Sequence, residues 1–130
     1  MVWANTEPTP DSQTLILNYS YDLGAILPLE KKFNPKNYDG SNFDCTAATG
    51  VSRVAIDNGQ SDPIYVHAAV LGSVLSGQGA TGFIITFDAG ALLTAIGTAG
   101  SQQGRYKIDL TDGTTVLTLA QGRYNLQLNG

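Results

Sequence analysis

Between Gly104 and Leu128 the chain alternates apolar and polar residues with a period of two, and this stretch constrains most of what the remainder can fold into. Tyr106, Ile108 and Leu110 alternate with Arg105, Lys107 and Asp109, so one face of an extended segment is apolar and the other charged. Thr111-Asp112-Gly113 follows. Asp-Gly between two such runs marks a hairpin, because Gly supplies the positive φ of a tight turn. Thr115, Leu117 and Leu119 continue as a second strand. Ala120-Gln121-Gly122 reads as another turn, and Tyr124, Leu126 and Leu128 form the apolar side of a third strand. The expectation is a three-stranded antiparallel meander. It buries one face only, so the other residues must supply a second layer.

The 130 residues suit one domain with a substantial core. Only 14% are charged while 15 are Gly, a balance that favours short strands and tight turns over amphipathic surface helices. The seven Lys and Arg are dispersed and the net charge is −4, which argues against a nucleic-acid partner. No apolar run approaches the roughly 20 residues of a membrane span, and the N-terminus lacks the basic and apolar regions of a secretory signal, so no membrane partner and cytoplasmic synthesis are expected. Cys45 is the only cysteine, which excludes an intrachain disulfide.

Residues 1–12 read as an extended arm, with Pro8 and Pro10 favouring a polyproline-like path. Trp3, the only tryptophan, is a candidate anchor on a neighbouring subunit, since Trp is enriched at interface hot spots. Residues 13–130 form the domain proper. Thr14–Tyr21 reads as a strand. Pro28 makes Ala25–Phe33 an edge strand at most. Asn34–Thr49 is rich in turn formers and reads mainly as a long loop, where binding residues tend to sit. Val51–Ile56 is a strand. Ile64–Leu71 is apolar on both faces, which suits a central strand or one packed against a partner chain. Gly72–Thr81 reads as a Gly/Ser-rich loop, Gly82–Phe87 as a strand, and Ala89–Ile96 as a short helix capped by Asp88. Gly97–Gly104 reads as a flexible tip. Gly-Arg-Tyr occurs twice, at residues 104–106 and 122–124, as a local echo too short for a structural repeat.

The chemical motifs are sparse. Gly77-Gln78-Gly79-Ala80-Thr81-Gly82 spells the dinucleotide fingerprint, but it opens a β-branched run where that motif needs a helix. His67 is the only histidine and sits among apolar residues, so neither a His-rich metal site nor a base for Cys45 is expected. Asp39, Asp57 and Asp112 lie in or beside Gly-containing turns, where aspartate bonds the local backbone. No catalytic, cofactor or metal-ligating set is expected, and the chain reads as a non-enzyme.

From Gly82 to Ala89, through Leu92-Leu93-Thr94-Ala95-Ile96, then Gly104-Arg105-Tyr106, Asp112-Gly113 and Gln121-Gly122-Arg123, the pattern resembles the N-terminal domain of the baseplate upper protein family of tailed phages. Asn42-Phe43-Asp44-Cys45-Thr46-Ala47 is similar to a D-L-T-G turn of that family, with Cys45 and Ala47 in place of its Leu and Gly. The resemblance covers Ala80–Leu128. It implies an immunoglobulin-like sandwich and a virion component that docks on other virion proteins in a ring or array. In the family this domain precedes a larger chain, whereas this sequence ends at Gly130, which points to an adaptor or decoration protein.

The combined expectation is an all-β antiparallel sandwich, immunoglobulin-like or jelly-roll-like, of seven or eight strands with one short helix and an N-terminal arm. Its function would be that of a structural subunit of a tailed-phage virion, a tail or baseplate adaptor or a capsid decoration protein, self-associating and bound to other virion proteins. The expected interface comprises Trp3, Pro8 and Pro10 of the arm, Tyr38 and Phe43 of the long loop, and Tyr65 of the two-faced strand. The alternative is a carbohydrate- or receptor-binding module using Tyr38, Phe43 and Tyr65 as aromatic platforms.

Overall fold

The computed structural model describes residues 3, 7–20, 22–27, 29–57, 65–68, 74–88, 92 and 102–129. Among these the chain forms nine strands: β1 Leu15–Ser20, β2 Ala25–Ile26, β3 Leu29–Phe33, β4 Gly50–Asp57, β5 Tyr65–Ala68, β6 Val74–Gly79, β7 Gly82–Phe87, β8 Gln102–Thr111 and β9 Val116–Asn129. They make a six-stranded sheet in the order β2-β1-β9-β8-β4-β5 and a three-stranded sheet in the order β3-β7-β6. Neighbours are antiparallel except β1 and β9, which run parallel. With β3 to β9 lettered B, C, C′, D, E, F and G, the sheets read B-E-D and G-F-C-C′. That is the strand arrangement of an immunoglobulin sandwich of the variable type, so the fold is the immunoglobulin-like alternative and not the jelly roll.

The two sheets share one core. Phe33, Phe83, Ile85 and Phe87 of the small sheet meet Leu15, Leu17, Val54, Ile56, Tyr106, Ile108, Leu110, Leu119, Tyr124 and Leu126 of the large one. The Phe33 ring stacks on Phe83 at 5.5 Å and crosses the interior to Tyr106 at 6.1 Å. The alternation seen in the sequence is thus the inward and outward pleat of β7, β8 and β9.

Several expectations need correction. The hairpin at Asp112-Gly113 is present, but Ala120–Gly122 does not turn: β9 runs unbroken for 14 residues. The apolar set changes phase there, from Leu117 and Leu119 to Ala120, Tyr124 and Leu126. The register shifts between Ile108 and Asp109, which pair with Ala120 and Thr118 and leave Leu119 as the extra residue. A β-bulge inserts one residue and so flips the phase without reversing the chain. The meander is therefore one long hairpin. Gly72–Thr81 is not all loop, because Val74–Gly79 is β6 and forms a hairpin with β7. Its turn needs Gly82, which has φ 123° and where a Cβ would stand 2.0 Å from the Phe33 carbonyl oxygen. β5 lies at the end of the six-strand order and not at its centre. Of the expected helix only Leu92 is described; it is buried, and its N–H donates to the Asp88 carbonyl at 3.0 Å, the i to i−4 bond of a helical turn. The other residues of that helix, Pro28 and residues 97–101 lie outside the described residues, while Gln102–Gly104 of the expected Gly97–Gly104 tip open strand β8 instead.

The arm is tied to the domain. Thr9 and Lys36 exchange backbone hydrogen bonds at 2.7 and 3.0 Å. The Asp11 N–H donates to Leu119 O at 3.1 Å and its carbonyl accepts from Gln121 N–H at 2.9 Å, so this segment lies along β9 just before β1 takes over the parallel pairing at Tyr124. The Asp11 carboxylate caps the arrangement by accepting from Gln13 and from the Asn34 N–H at 2.7 Å.

Candidate binding face

Two of the expected interface residues are core residues. Trp3 is 5% exposed and Phe43 1%. Their rings meet at 5.6 Å, the Trp3 N–H donates to Asp112 Oδ2 at 3.0 Å, and its indole Nε1–H donates to Thr115 O at 3.1 Å. Trp3 is thereby used within its own chain, because a buried indole satisfies both its apolar area and its single donor there. Phe43 likewise cannot serve as a sugar platform. Tyr38 is the opposite case, 96% exposed at the tip of the long loop. The Tyr65 side chain lies outside the described residues. Tyr38 and Phe43, one exposed and the other buried, do not share a surface. Pro8 and Pro10 are half-buried, and Pro10 lines an open cleft of about 580 Å³ with Thr9, Ser12, Gln121, Arg105 and Arg123.

The groups with chemical potential are engaged in the scaffold. Cys45 is fully buried in the long loop, with its Sγ 3.7 Å from Phe43 O. Burial, helped by the Asp44 charge beside it, pushes the thiol pKa up to about 12, so the nucleophilic thiolate is suppressed at neutral pH. Asp39 is held below the usual carboxylate range by the hydroxyl and N–H of Ser41, and Asp44 by those of Thr46. Asp112 is lowered by the N–H groups of Thr115 and Thr114, at 2.7 and 2.8 Å, and by that of Trp3. These are turn carboxylates that close their own loops. Asp109 sits on the outer side of β8, where it takes Arg53 Nη2 at 2.9 Å and the Thr118 hydroxyl at 2.7 Å. The Tyr106 hydroxyl donates to Gln13 O, and its pKa is raised by burial and by the Asp11 charge. Among the described residues no group of three His, Cys, Asp or Glu side chains could hold a metal ion. The dinucleotide-like glycines form the β6–β7 hairpin and lead directly into strand β7, where that motif needs a helix.

One face was not anticipated. The two Gly-Arg-Tyr tripeptides face each other across the β8–β9 ladder. Gly104 pairs with Tyr124, Arg105 with Arg123, and Tyr106 with Gly122. On the inner side each Tyr covers the opposite Gly: a Cβ on Gly104 would stand 2.5 Å from the Tyr124 ring, and one on Gly122 3.3 Å from the Tyr106 ring. On the outer side Arg105 and Arg123 are exposed and directly opposed, and Lys107 follows two residues along. Among the described residues none of the three meets a carboxylate, in contrast to Arg53. The repeated tripeptide on either side of an Asp-Gly turn was the available signal. It becomes meaningful only once the register, bulge included, sets Arg against Arg.

Neither protein-family models nor curated proteins match this sequence.

Proposed function

We propose that this chain is a non-enzymatic structural subunit of a tailed-bacteriophage virion that docks on other virion proteins, as a tail or baseplate adaptor or as a capsid decoration protein. One observation carries the reading. Ala80–Leu128, the residues that resemble the baseplate upper protein family, supply β7, β8 and β9, and these strands sit in an immunoglobulin-like order, the architecture that the resemblance implies. The engagement of Cys45, Asp39, Asp44, Asp109 and Asp112 in turns and in the core adds weight, since such groups hold a scaffold. With Trp3 and Phe43 inside, docking falls to the outward surfaces. These include the exposed Tyr38 loop and the outer face of β8 and β9.

Light scattering tests the proposal, on the purified chain alone and mixed with the capsid and tail proteins encoded beside its gene. Self-association or a stable complex with one of those proteins supports a docking subunit and says which end of the particle it serves. A monomer that binds none of them overturns it.

A further inference from the structure

We propose that the Arg105–Arg123 pair is an anion-binding site for a small ligand that carries a phosphate or carboxylate group; this goes beyond the docking role and does not depend on it. Directly opposed residues of an antiparallel pair have Cβ atoms about 5 Å apart, and like charges at that spacing destabilise the ladder. The chain has eleven Asp and Glu against seven Lys and Arg, so acids are abundant. The neighbouring strand shows the ordinary solution, Arg53 neutralised by Asp109. At the Arg105–Arg123 pair that solution is absent among the described residues. Lys107 lies further along the same face, and its register partner, Gln121, is neutral. Asp11 runs beside Gln121, but its carboxylate accepts from Gln13 and from the Asn34 N–H and forms no ion pair with either arginine among the described residues.

The pair is also preorganised and accessible. Each arginine is flanked by a Gly and a Tyr that lock into the opposite strand, and the Tyr106 hydroxyl ties this unit to Gln13 O. The arginine backbones are therefore fixed by a buried ladder, while their guanidinium groups are free to converge on one oxyanion. Arginine suits this role because its planar fork presents paired donors to phosphate or carboxylate oxygens. Open clefts lie on both sides of the pair. The one of about 580 Å³ reaches the hydroxyl-bearing residues Thr9 and Ser12, and the other, of about 230 Å³, reaches Gln103. The larger is within the size range of small-molecule sites.

The test is a titration of the full chain with inorganic phosphate, and separately with citrate, at constant ionic strength, following the Arg105 and Arg123 Nε–H resonances. Both resonances should shift saturably. Arg105→Gln and Arg123→Gln should each weaken binding roughly tenfold or more, the share of a charge-assisted hydrogen bond. Lys32→Gln, on the other sheet, should leave it unchanged. A response to phosphate alone assigns a phosphate-bearing ligand, and a response to citrate alone a carboxylate-bearing one; each supports the site. Linear, non-saturating shifts in both arms overturn it, as does an equal loss in Lys32→Gln. The wild-type isotherm decides the matter even if an arginine variant fails to fold.

Discussion

Replacing Trp3 by Ala should destabilise the isolated chain severely. The indole is 5% exposed, packs on Phe43 at 5.6 Å, and satisfies its only donor on Thr115 O. Removing a buried aromatic of this kind costs about 3–5 kcal/mol through lost transfer energy and the cavity left behind. The Thr115 carbonyl loses one of its two donors and keeps the Asp112 N–H at 3.3 Å, so no orphaned acceptor adds to that range. A domain of this size has about 5–15 kcal/mol in total and loses roughly 3 °C of melting temperature per kcal/mol, so the melting temperature should fall by about 10 °C or more. Trp3→Phe keeps the ring against Phe43 and the backbone bond to Asp112 but loses the indole donor, and should cost only about 1–2 kcal/mol. Urea unfolding followed by circular dichroism is the assay, because the variants lack the only tryptophan. The measurement is repeated over a wide range of protein concentration. An unchanged midpoint for Trp3→Ala refutes the intrachain packing. A loss that appears only at concentrations where the wild type self-associates refutes it too, and restores Trp3 as an intersubunit anchor.

Three further outcomes follow from the same geometry. Gly104→Ala should cost about 1–3 kcal/mol by forcing the buried Tyr124 ring aside, while Gly50→Ala, whose Cβ meets nothing within 4 Å, should be near neutral; equal midpoints for the two variants would contradict the Tyr-on-Gly packing. With its pKa pushed up to about 12 by burial, Cys45 should react with a thiol reagent at pH 8 only as fast as the chain unfolds, and rapid stoichiometric labelling of the native protein would contradict its burial. The Asp112 carboxylate is lowered by the N–H groups of Thr115, Thr114 and Trp3, so its stabilisation is present above the unfolded-state pKa of about 3.9 and is lost as pH falls through the lower folded value. Asp112→Asn should accordingly be less stable than wild type at neutral pH, with the gap closing below about pH 4; a gap constant with pH would show that the charge plays no part.

What was legible in the sequence was local. The alternation in Tyr106–Leu110 and the Asp112-Gly113 turn name a hairpin because both signals depend only on neighbours in the chain. The β-bulge opposite Asp109 has the sequence signature of a turn, since a phase flip in apolar spacing looks the same whether the strand kinks or reverses. In sequence Trp3 reads as an anchor on a neighbouring subunit, an aromatic in a Pro-containing tail. Nothing local reveals that Asp112 and Thr115, more than a hundred residues away, stand ready to receive its two N–H groups. Phe43 was hidden likewise, because a loop composition says where turns occur and not which side chain dips into the core. The Arg105–Arg123 pair required the cross-strand register, and register follows from the bulge and from packing and not from spacing alone.

The virion role proposed for this chain turns on whether the chain is part of a particle. The readout is quantitative mass spectrometry of purified tailed particles of any phage whose genome encodes the chain, after capsids and tails are separated. A virion subunit is expected in fixed stoichiometry with one of the two fractions, retained through washing. Its absence from both fractions, with the protein found only in the soluble lysate, would overturn the proposed role.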